Sequence, residues 1–162
     1  MATLLYARSS DNKAPNATVT VNTGTEDTIY AKANLVDLDP AKPAKLTTTT
    51  GSWVFDFGSA QALDVVAVIH HNLTAGLEVR IQGNATNSWG APTLNQTITI
   101  PAYHDDLMPV NPFVDLTGIS PRSFRYWRLV VVGTNGAAIA IGEVLLIATK
   151  RTLERNISWG WQ

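Results

Sequence analysis

Short runs in which apolar and polar residues alternate recur along this chain, and they predict β-strands. The clearest run is Leu77–Gln82, whose apolar side chains fall at every second position. Trp53–Phe57 follows the same period, with its aromatic side chains on one face. Two longer runs, Leu63–His70 and Phe124–Val132, are almost continuously apolar. Such runs are typical of central strands that are covered on both faces or lie at an interface.

Weaker strand candidates and turn residues fill the intervals between these runs. Glycine, asparagine and proline cluster between the apolar segments, and no sustained 3.6-residue period indicates a long helix. The pattern therefore predicts an all-β chain whose two antiparallel sheets pack as a β-sandwich. The weaker strand candidates are Thr18–Val21, Thr28–Lys32, Gln96–Ile100 and Ile139–Ile147.

Length and composition narrow the class of protein. A chain of 162 residues fits one domain, and the lack of cysteine excludes a disulfide framework and thiolate metal sites. The formal net charge is -1 and no stretch is rich in Lys or Arg, so we expect no nucleic-acid partner. No apolar run approaches the ~20 residues of a membrane span, so we expect no membrane insertion. The first ten residues lack the basic and apolar regions of a secretory signal, which predicts a protein made in the cytoplasm.

The sequence carries none of the short motifs that mark common catalytic sites. It has no Gly-x-Ser-x-Gly nucleophile elbow, no phosphate-binding P-loop and no His-Glu-x-x-His zinc motif. We therefore predict a binding or assembly protein and not an enzyme.

An ordered set of short motifs resembles the discoidin-like, or galactose-binding-like, β-sandwich of coagulation factor type-C domains. This resemblance implies a jelly-roll scaffold that serves binding and assembly. The chain departs from the sugar-binding pattern in the early loop, where Leu38 replaces a glycine and the tryptophan that usually follows is missing. The motifs are Asn34–Asp39, Trp53–Gly58, Ala62–Val68, Arg125–Leu129 and Ile141–Glu143.

Within that fold, three segments resemble small virion proteins of tailed bacteriophages: Ile69–Thr74, Arg125–Leu129 and Asn156–Trp161. The resemblance implies a non-enzymatic structural component of the particle, in the tail tip, baseplate or neck. Its partners would be other virion proteins and copies of itself, and it would be made in the host bacterial cytoplasm. One alternative is a carbohydrate-binding module that attaches to a host polysaccharide, and another is a capsid decoration protein.

The chain is predicted to comprise an N-terminal arm (1–30) with one or two strands, the sandwich (31–149) and a C-terminal tail (150–162). The tail ends in Ile157–Trp161, which holds two tryptophans. Exposed tryptophans are costly, so we expect Trp159 and Trp161 to pack on this domain or on a neighbour.

Two sets of residues are candidates for binding sites. Asp37, Asp39 and Glu143 offer the hard oxygen ligands of a structural Ca²⁺ site, as the early loop and penultimate strand of the resembling modules do. The alternative is that the two aspartates cap a turn while Glu143 pairs with an arginine. Trp89 and Tyr103 lie in long irregular segments, where an aromatic ring can stack on a sugar or form a protein contact.

Overall fold

The computed structural model describes residues 5–6, 8–101 and 111–152 of the chain. In this part, the helices are single 3-10 turns at Ser9–Asp11, Ala14–Asn16 and Lys32–Leu35, and none is long and apolar enough to cross a membrane. The remaining elements are strands. They are β1 (Leu5–Tyr6), β2 (Thr18–Thr23), β3 (Ala44–Lys45), β4 (Gly51–Ala62), β5 (Val65–His71), β6 (Glu78–Asn84), β7 (Leu94–Thr99), β8 (Phe113–Asp115), β9 (Ser123–Val131), β10 (Ala140–Ile147) and β11 (Arg151–Thr152).

Two larger sheets pack face to face. The five-stranded sheet has the order β2-β4-β9-β6-β7, and the four-stranded sheet has the order β3-β10-β5-β8. A third, two-stranded sheet pairs β1 with β11. Every described strand pair is antiparallel. The prediction of an all-β, two-sheet antiparallel sandwich is confirmed.

The core lies between the inner faces of these two sheets, and period-two alternation places its residues. Trp53 and Phe55 of β4 lie opposite Leu129 and Trp127 of β9, and all four are fully buried. Val79 and Ile81 of β6 add to the same layer, as their alternation predicts. The four-stranded sheet supplies Val66, Val68, Val144 and Leu146 from the other side.

The prediction of a strand at Thr28–Lys32 is wrong. The side chain of Asp27 accepts backbone hydrogen bonds from Ile29 at 2.8 Å and from Tyr30 at 3.1 Å. These bonds turn the chain immediately after Asp27, and a 3-10 helix follows at Lys32–Leu35. A local aspartate therefore overrides the β propensity of this segment.

The early part of the chain contributes an edge strand to the sandwich. β2 pairs antiparallel with β4, from Thr18 opposite Asp56 to Thr23 opposite Ser52. Asn12 forms an isolated bridge with Ile147, which fixes the segment before β2 against the other sheet. The division into an arm, a sandwich and a tail stays a prediction.

Gly83→Ala is expected to destabilise the fold, because a Cβ at position 83 would lie 2.3 Å from the ring of Phe124. That ring packs edge-on against Trp127, with 5.5 Å between ring centroids, so it has little room to move. Overpacking of this kind costs about 1–3 kcal/mol. Urea denaturation measures the loss, and Gly90→Ala is the matched control because a Cβ there meets nothing within 4 Å. Equal stabilities of the two variants would contradict the packing around Phe124.

Candidate functional site

A polar surface with one tryptophan lies on the outer face of the five-stranded sheet. We call it the Trp89 surface, and it consists of Gln82, Asn84, Trp89, Asn95 and Arg128. Trp89 belongs to the segment between β6 and β7, and it is half-buried. The guanidinium carbon of Arg128, on β9, lies 4.7 Å from the centroid of the Trp89 ring. This distance is that of a cation–π contact, which holds the indole against the sheet.

Strand register brings the polar partners of Arg128 together. Arg128 on β9 lies opposite Gln82 on β6, and Gln82 lies opposite Asn95 on β7. Arg128 Nε donates a hydrogen bond of 2.8 Å to Gln82 Oε1, and an Nη group donates to the same oxygen. Gln82 Nε2 then donates to Asn95 Oδ1 at 3.0 Å. These side chains form one continuous hydrogen-bonded row across three strands.

The loop that carries Trp89 is held by its own side chains. Asn84 Nδ2 donates to the carbonyl of Ser88 at 2.7 Å, and Asn84 Oδ1 accepts from Thr93 Oγ1 at 3.2 Å. The indole N–H of Trp89 donates to Asn87 Oδ1 at 2.8 Å. The hydrogen-bonding edge of the indole is therefore occupied, and its ring is the part left for a ligand.

Arg128 supplies a positive charge that no carboxylate neutralises within the described part of the chain. Arg125 pairs with Asp56 at 2.8 Å and Arg80 with Glu78 at 2.6 Å, whereas Arg128 bonds the neutral amide of Gln82. Burial lowers the pKa of Arg128, yet an arginine stays charged at neutral pH. The site therefore combines an aromatic ring, amide groups and one uncompensated cation.

Such an arrangement suits non-covalent recognition of a polar ring. Aromatic faces cover the C–H face of a sugar, and fixed amide and guanidinium groups bond hydroxyl or carboxylate oxygens. Because the side chains are already bonded to each other, a ligand would meet a preformed surface.

The other aromatic candidates lie outside the described residues. Tyr103, Trp159 and Trp161 are in this group, so their predicted roles in ligand binding and at an interface stay predictions.

The carboxylates proposed for calcium lie near one another but do not form a cluster. In the described part of the chain, no three His, Cys, Asp or Glu side chains are arranged to hold a metal ion. Asp37 Oδ1 accepts from the backbone N–H of Asp39 at 3.0 Å, and Asp39 pairs with Lys42 at 3.1 Å. The hydrogen bond from Asp39 to Asp37 is of the turn-capping kind that the alternative to a calcium site predicts for the two aspartates. Glu143 Oε1, by contrast, is buried without a hydrogen-bond partner, and its oxygen chemistry fits a hard cation. The calcium site stays a prediction.

Glu143→Gln is expected to raise the melting temperature at pH 7. Burial, followed by the charges of Asp37 and Asp39, raises the pKa of Glu143 above 4.5. The folded state thus binds the carboxyl proton of Glu143 more tightly than the unfolded state does. The contribution of this group to the free energy of unfolding is therefore full below pH 4.5, and it falls as the pH rises through the pKa of Glu143 in the folded state. Removing the charge should gain on the order of 1 kcal/mol at pH 7 and nothing at low pH.

Differential scanning calorimetry across this pH range measures the effect of Glu143→Gln. Glu26→Gln is the control, because Glu26 pairs with Lys32 at 2.9 Å and its pKa is lowered, so this substitution should not stabilise. A lower melting temperature for Glu143→Gln, together with a wild-type melting temperature that falls with a chelator, would contradict the prediction and support bound calcium.

Reasoning from the sequence singles out Trp89 but not Gln82 and Arg128, and the role of Trp89 in ligand binding stays a prediction. Side chains alternate between the two faces of a strand, so the residues between the predicted core positions are expected to point outward. Gln82 and Arg128 occupy such outward positions. The pairing of β6 with β9 is not encoded in either segment alone, so the contact between them needed the structure.

Comparisons with known proteins identify the fold. The sequence matches no protein-family model and no curated protein. The structure is similar to the family 32 carbohydrate-binding module of Clostridium perfringens NanJ, solved with galactose, at 12% identity and TM-score 0.62, covering 91% of this chain and 100% of that one. It is similar to a fucose-binding module of Streptococcus pneumoniae at 14% identity and TM-score 0.60, covering 85% and 98%. It is also similar to a chitosan-binding module of Paenibacillus at 19% identity and TM-score 0.55, covering 83% and 97%.

At these identities the likeness establishes the fold alone. The chain has the discoidin-like β-sandwich that carbohydrate-binding modules of family 32 also have. The resemblance predicted from the sequence motifs is therefore confirmed at the level of the fold.

Proposed function

We propose that this chain is a non-enzymatic carbohydrate-binding module that recognises its ligand through the Trp89 surface. The observation that carries this proposal is the stacking of Trp89 on Arg128, which is itself fixed by Gln82. An aromatic ring held beside amide and guanidinium groups has the composition of a sugar site.

The structural relatives support this proposal. One was solved with galactose, others are a fucose-binding module and a chitosan-binding module, and the lectin domain of lectinolysin was solved in complex with Lewis B antigen. Their sandwich spans 83% or more of the present chain. The same scaffold thus serves sugar recognition in several proteins that are 12–19% identical to this chain.

The electrostatics of the Trp89 surface favour an acidic sugar. A hexose ring would lie on the indole face, while Asn95 and the free edge of Arg128 bond its oxygens. A uronic acid or a sulfated residue would also neutralise the charge of Arg128. Charge-assisted hydrogen bonds are roughly twice as strong as neutral ones, so an acidic sugar should bind more tightly than its neutral counterpart.

A glycan array tests this proposal when it holds matched neutral and acidic oligosaccharides, including galactose and galacturonic acid forms. The expected result is binding to the acidic member of each pair, lost in Arg128→Gln and retained in Arg125→Gln. Arg125 is the matched control because it lies on the same strand and is already paired with Asp56. Silence of the wild-type chain across array and polysaccharide gels would contradict the proposal.

A second candidate function is assembly into a bacteriophage particle, which the motif resemblance implies. The supporting observation is a pair of exposed apolar side chains on the side of the other sheet: Phe113 of β8 is 60% exposed, and Leu38, in the loop before β3, is 57% exposed. Apolar side chains of this size favour protein contacts when they are contiguous. The chain would then reside in the virion with copies of itself and other virion proteins. Light scattering of the purified chain and electron microscopy of the source particle test this candidate, and a monomer missing from any particle would contradict it.

A further inference from the structure

A cavity of about 310 Å³ lies on the outer side of the four-stranded sheet, away from the Trp89 surface. Its floor is the outward face of β10, and its sides are the segment 8–12 and the loop that holds Leu38. The Trp89 surface uses none of the residues that line it, so the cavity requires a separate explanation.

Two buried polar atoms without partners lie on residues that line this cavity. Glu143 is 4% exposed and its Oε1 accepts no hydrogen bond, while Asn12 Nδ2 donates none. Buried polar atoms are nearly always paired in native structures. One unpaired acceptor and one unpaired donor in the same cavity indicate a missing occupant with a polar group.

The rest of the lining combines the exposed polar residues Arg8 and Ser9 with three apolar side chains. Leu38, Leu145 and Ile147 line the cavity. Strand register then extends this apolar strip from Leu145 to Ala67 and on to Phe113 at the sheet edge. An occupant with an apolar body and a hydrogen-bond donor would cover the apolar side chains and pair with Glu143 Oε1, and a tryptophan side chain has this chemistry. The acceptor for Asn12 Nδ2 would come from another group of the same occupant, such as a main-chain carbonyl.

We propose that the C-terminal segment 153–162 of the same chain folds back over this sheet and places an indole in the cavity. The segment lies outside the described residues and carries Ile157, Trp159 and Trp161. One indole N–H would donate to Glu143 Oε1, and the other apolar side chains would cover the strip from Leu145 to Phe113.

The point where the described chain ends favours this occupant. Thr152 pairs with Leu5, and Arg151 Nε bonds Asp11 Oδ2 at 2.9 Å. Asp11 is adjacent to Asn12 of the cavity wall, so the tail starts beside the site that it would fill. Trp159 follows Thr152 by seven residues, and an extended chain spans roughly 3.3 Å per residue, or about 23 Å. A short tether gives an effective concentration of about 1 mM, so the tail of the same chain should outcompete that of another copy in dilute solution.

Cysteine crosslinking tests the proposal cleanly, because the natural chain has no cysteine. Leu38→Cys places one thiol at the rim of the cavity, and Gly160→Cys places another between the two tail tryptophans. A short bis-maleimide should join them within one chain roughly tenfold faster than it joins the matched control pair, Val132→Cys with Gly160→Cys. Val132 is 44% exposed and follows β9 of the other sheet.

Each result of the crosslinking decides the question. A fast crosslink at the monomer mass supports the proposal. A crosslink mainly at the dimer mass would assign the cavity to the tail of a second copy and overturn it. Equal rates for the two pairs would also overturn it.

Tryptophan fluorescence provides a second measurement on the full chain. Leu145→Arg fills the cavity with a charged side chain, and acrylamide quenching of the total tryptophan emission should then increase, because two of the five tryptophans lie in the tail. Thr97→Arg is the control, because Thr97 is exposed on the other sheet. Unchanged quenching in Leu145→Arg would overturn the proposal.

Discussion

Trp127→Ala is expected to lower the free energy of unfolding by about 3–5 kcal/mol, the usual cost of removing a large aromatic side chain from a core. Trp127 is fully buried at the centre of the five-stranded sheet. Its indole N–H donates to the carbonyls of Phe124 at 3.1 Å and Gln61 at 3.2 Å. The substitution therefore leaves a cavity and removes the donor from two carbonyl groups.

Because a typical domain has only about 5–15 kcal/mol of stability, this variant should unfold at much lower denaturant concentration than wild type. Chemical denaturation followed by circular dichroism measures the difference. Trp127→Phe, which keeps an aromatic ring but loses the N–H, should fall between the two. A near-neutral result for Trp127→Ala would show that Trp127 does not occupy the core and that the register of β9 is different.

Trp89→Ala is expected to weaken glycan binding by about 2 kcal/mol or more, roughly 30-fold in Kd, because an aromatic anchor at the centre of a site dominates its affinity. The ring provides the stacking face, and Arg128 below it loses its cation–π partner. Isothermal titration calorimetry with an oligosaccharide identified on the array measures this loss. The melting temperature should change far less than in Trp127→Ala, because Trp89 is only half-buried.

Trp89→Phe is the matched variant for this measurement. It retains an aromatic face and loses the N–H that bonds Asn87, so its affinity should lie between those of wild type and Trp89→Ala. Full affinity in Trp89→Ala would place the glycan elsewhere on the sandwich and contradict the proposed site.

Much of the sandwich follows from local sequence patterns. The alternation in Leu77–Gln82 correctly predicts that Val79 and Ile81 enter the core, and the aromatic residues at positions 53 and 55 behave in the same way. Period-two alternation predicts these positions correctly because one face of each strand is buried. A register shift of one residue would turn the apolar side chains to solvent. The strand prediction for Thr28–Lys32 is wrong because the side chain of Asp27 accepts backbone hydrogen bonds that turn the chain, and composition alone does not show this.

The candidate site could be predicted only in part. The sequence singles out Trp89 as a candidate because it is an aromatic residue in a long loop, whereas the residues that contact it depend on pairings between distant segments. Arg128 and Gln82 are 46 positions apart in the sequence and meet through the β6–β9 register. Antiparallel pairing over such a separation is set by the whole fold and not by either strand.

The two predicted functions rest on different evidence. The virion role rests on the sequence resemblance of three short segments, one of which lies outside the described residues. It stays a prediction. The carbohydrate role rests on the geometry of the Trp89 surface and on a fold that several sugar-binding modules also have. The two roles use opposite faces of the sandwich, but the proposed docking of the C-terminal segment would cover the apolar side chains on which the assembly role depends.

Mapping of the ligand-binding surface by NMR tests the central claim most directly. Galacturonic acid oligosaccharides would be titrated into the isotopically labelled chain, and the shifts of backbone and side-chain amide signals would be followed. We predict that the largest shifts cluster at Gln82, Trp89 and Asn95, including the indole N–H of Trp89. Shifts confined to the opposite sheet, or no shifts with acidic and neutral sugars alike, would contradict the proposal that the Trp89 surface binds carbohydrate.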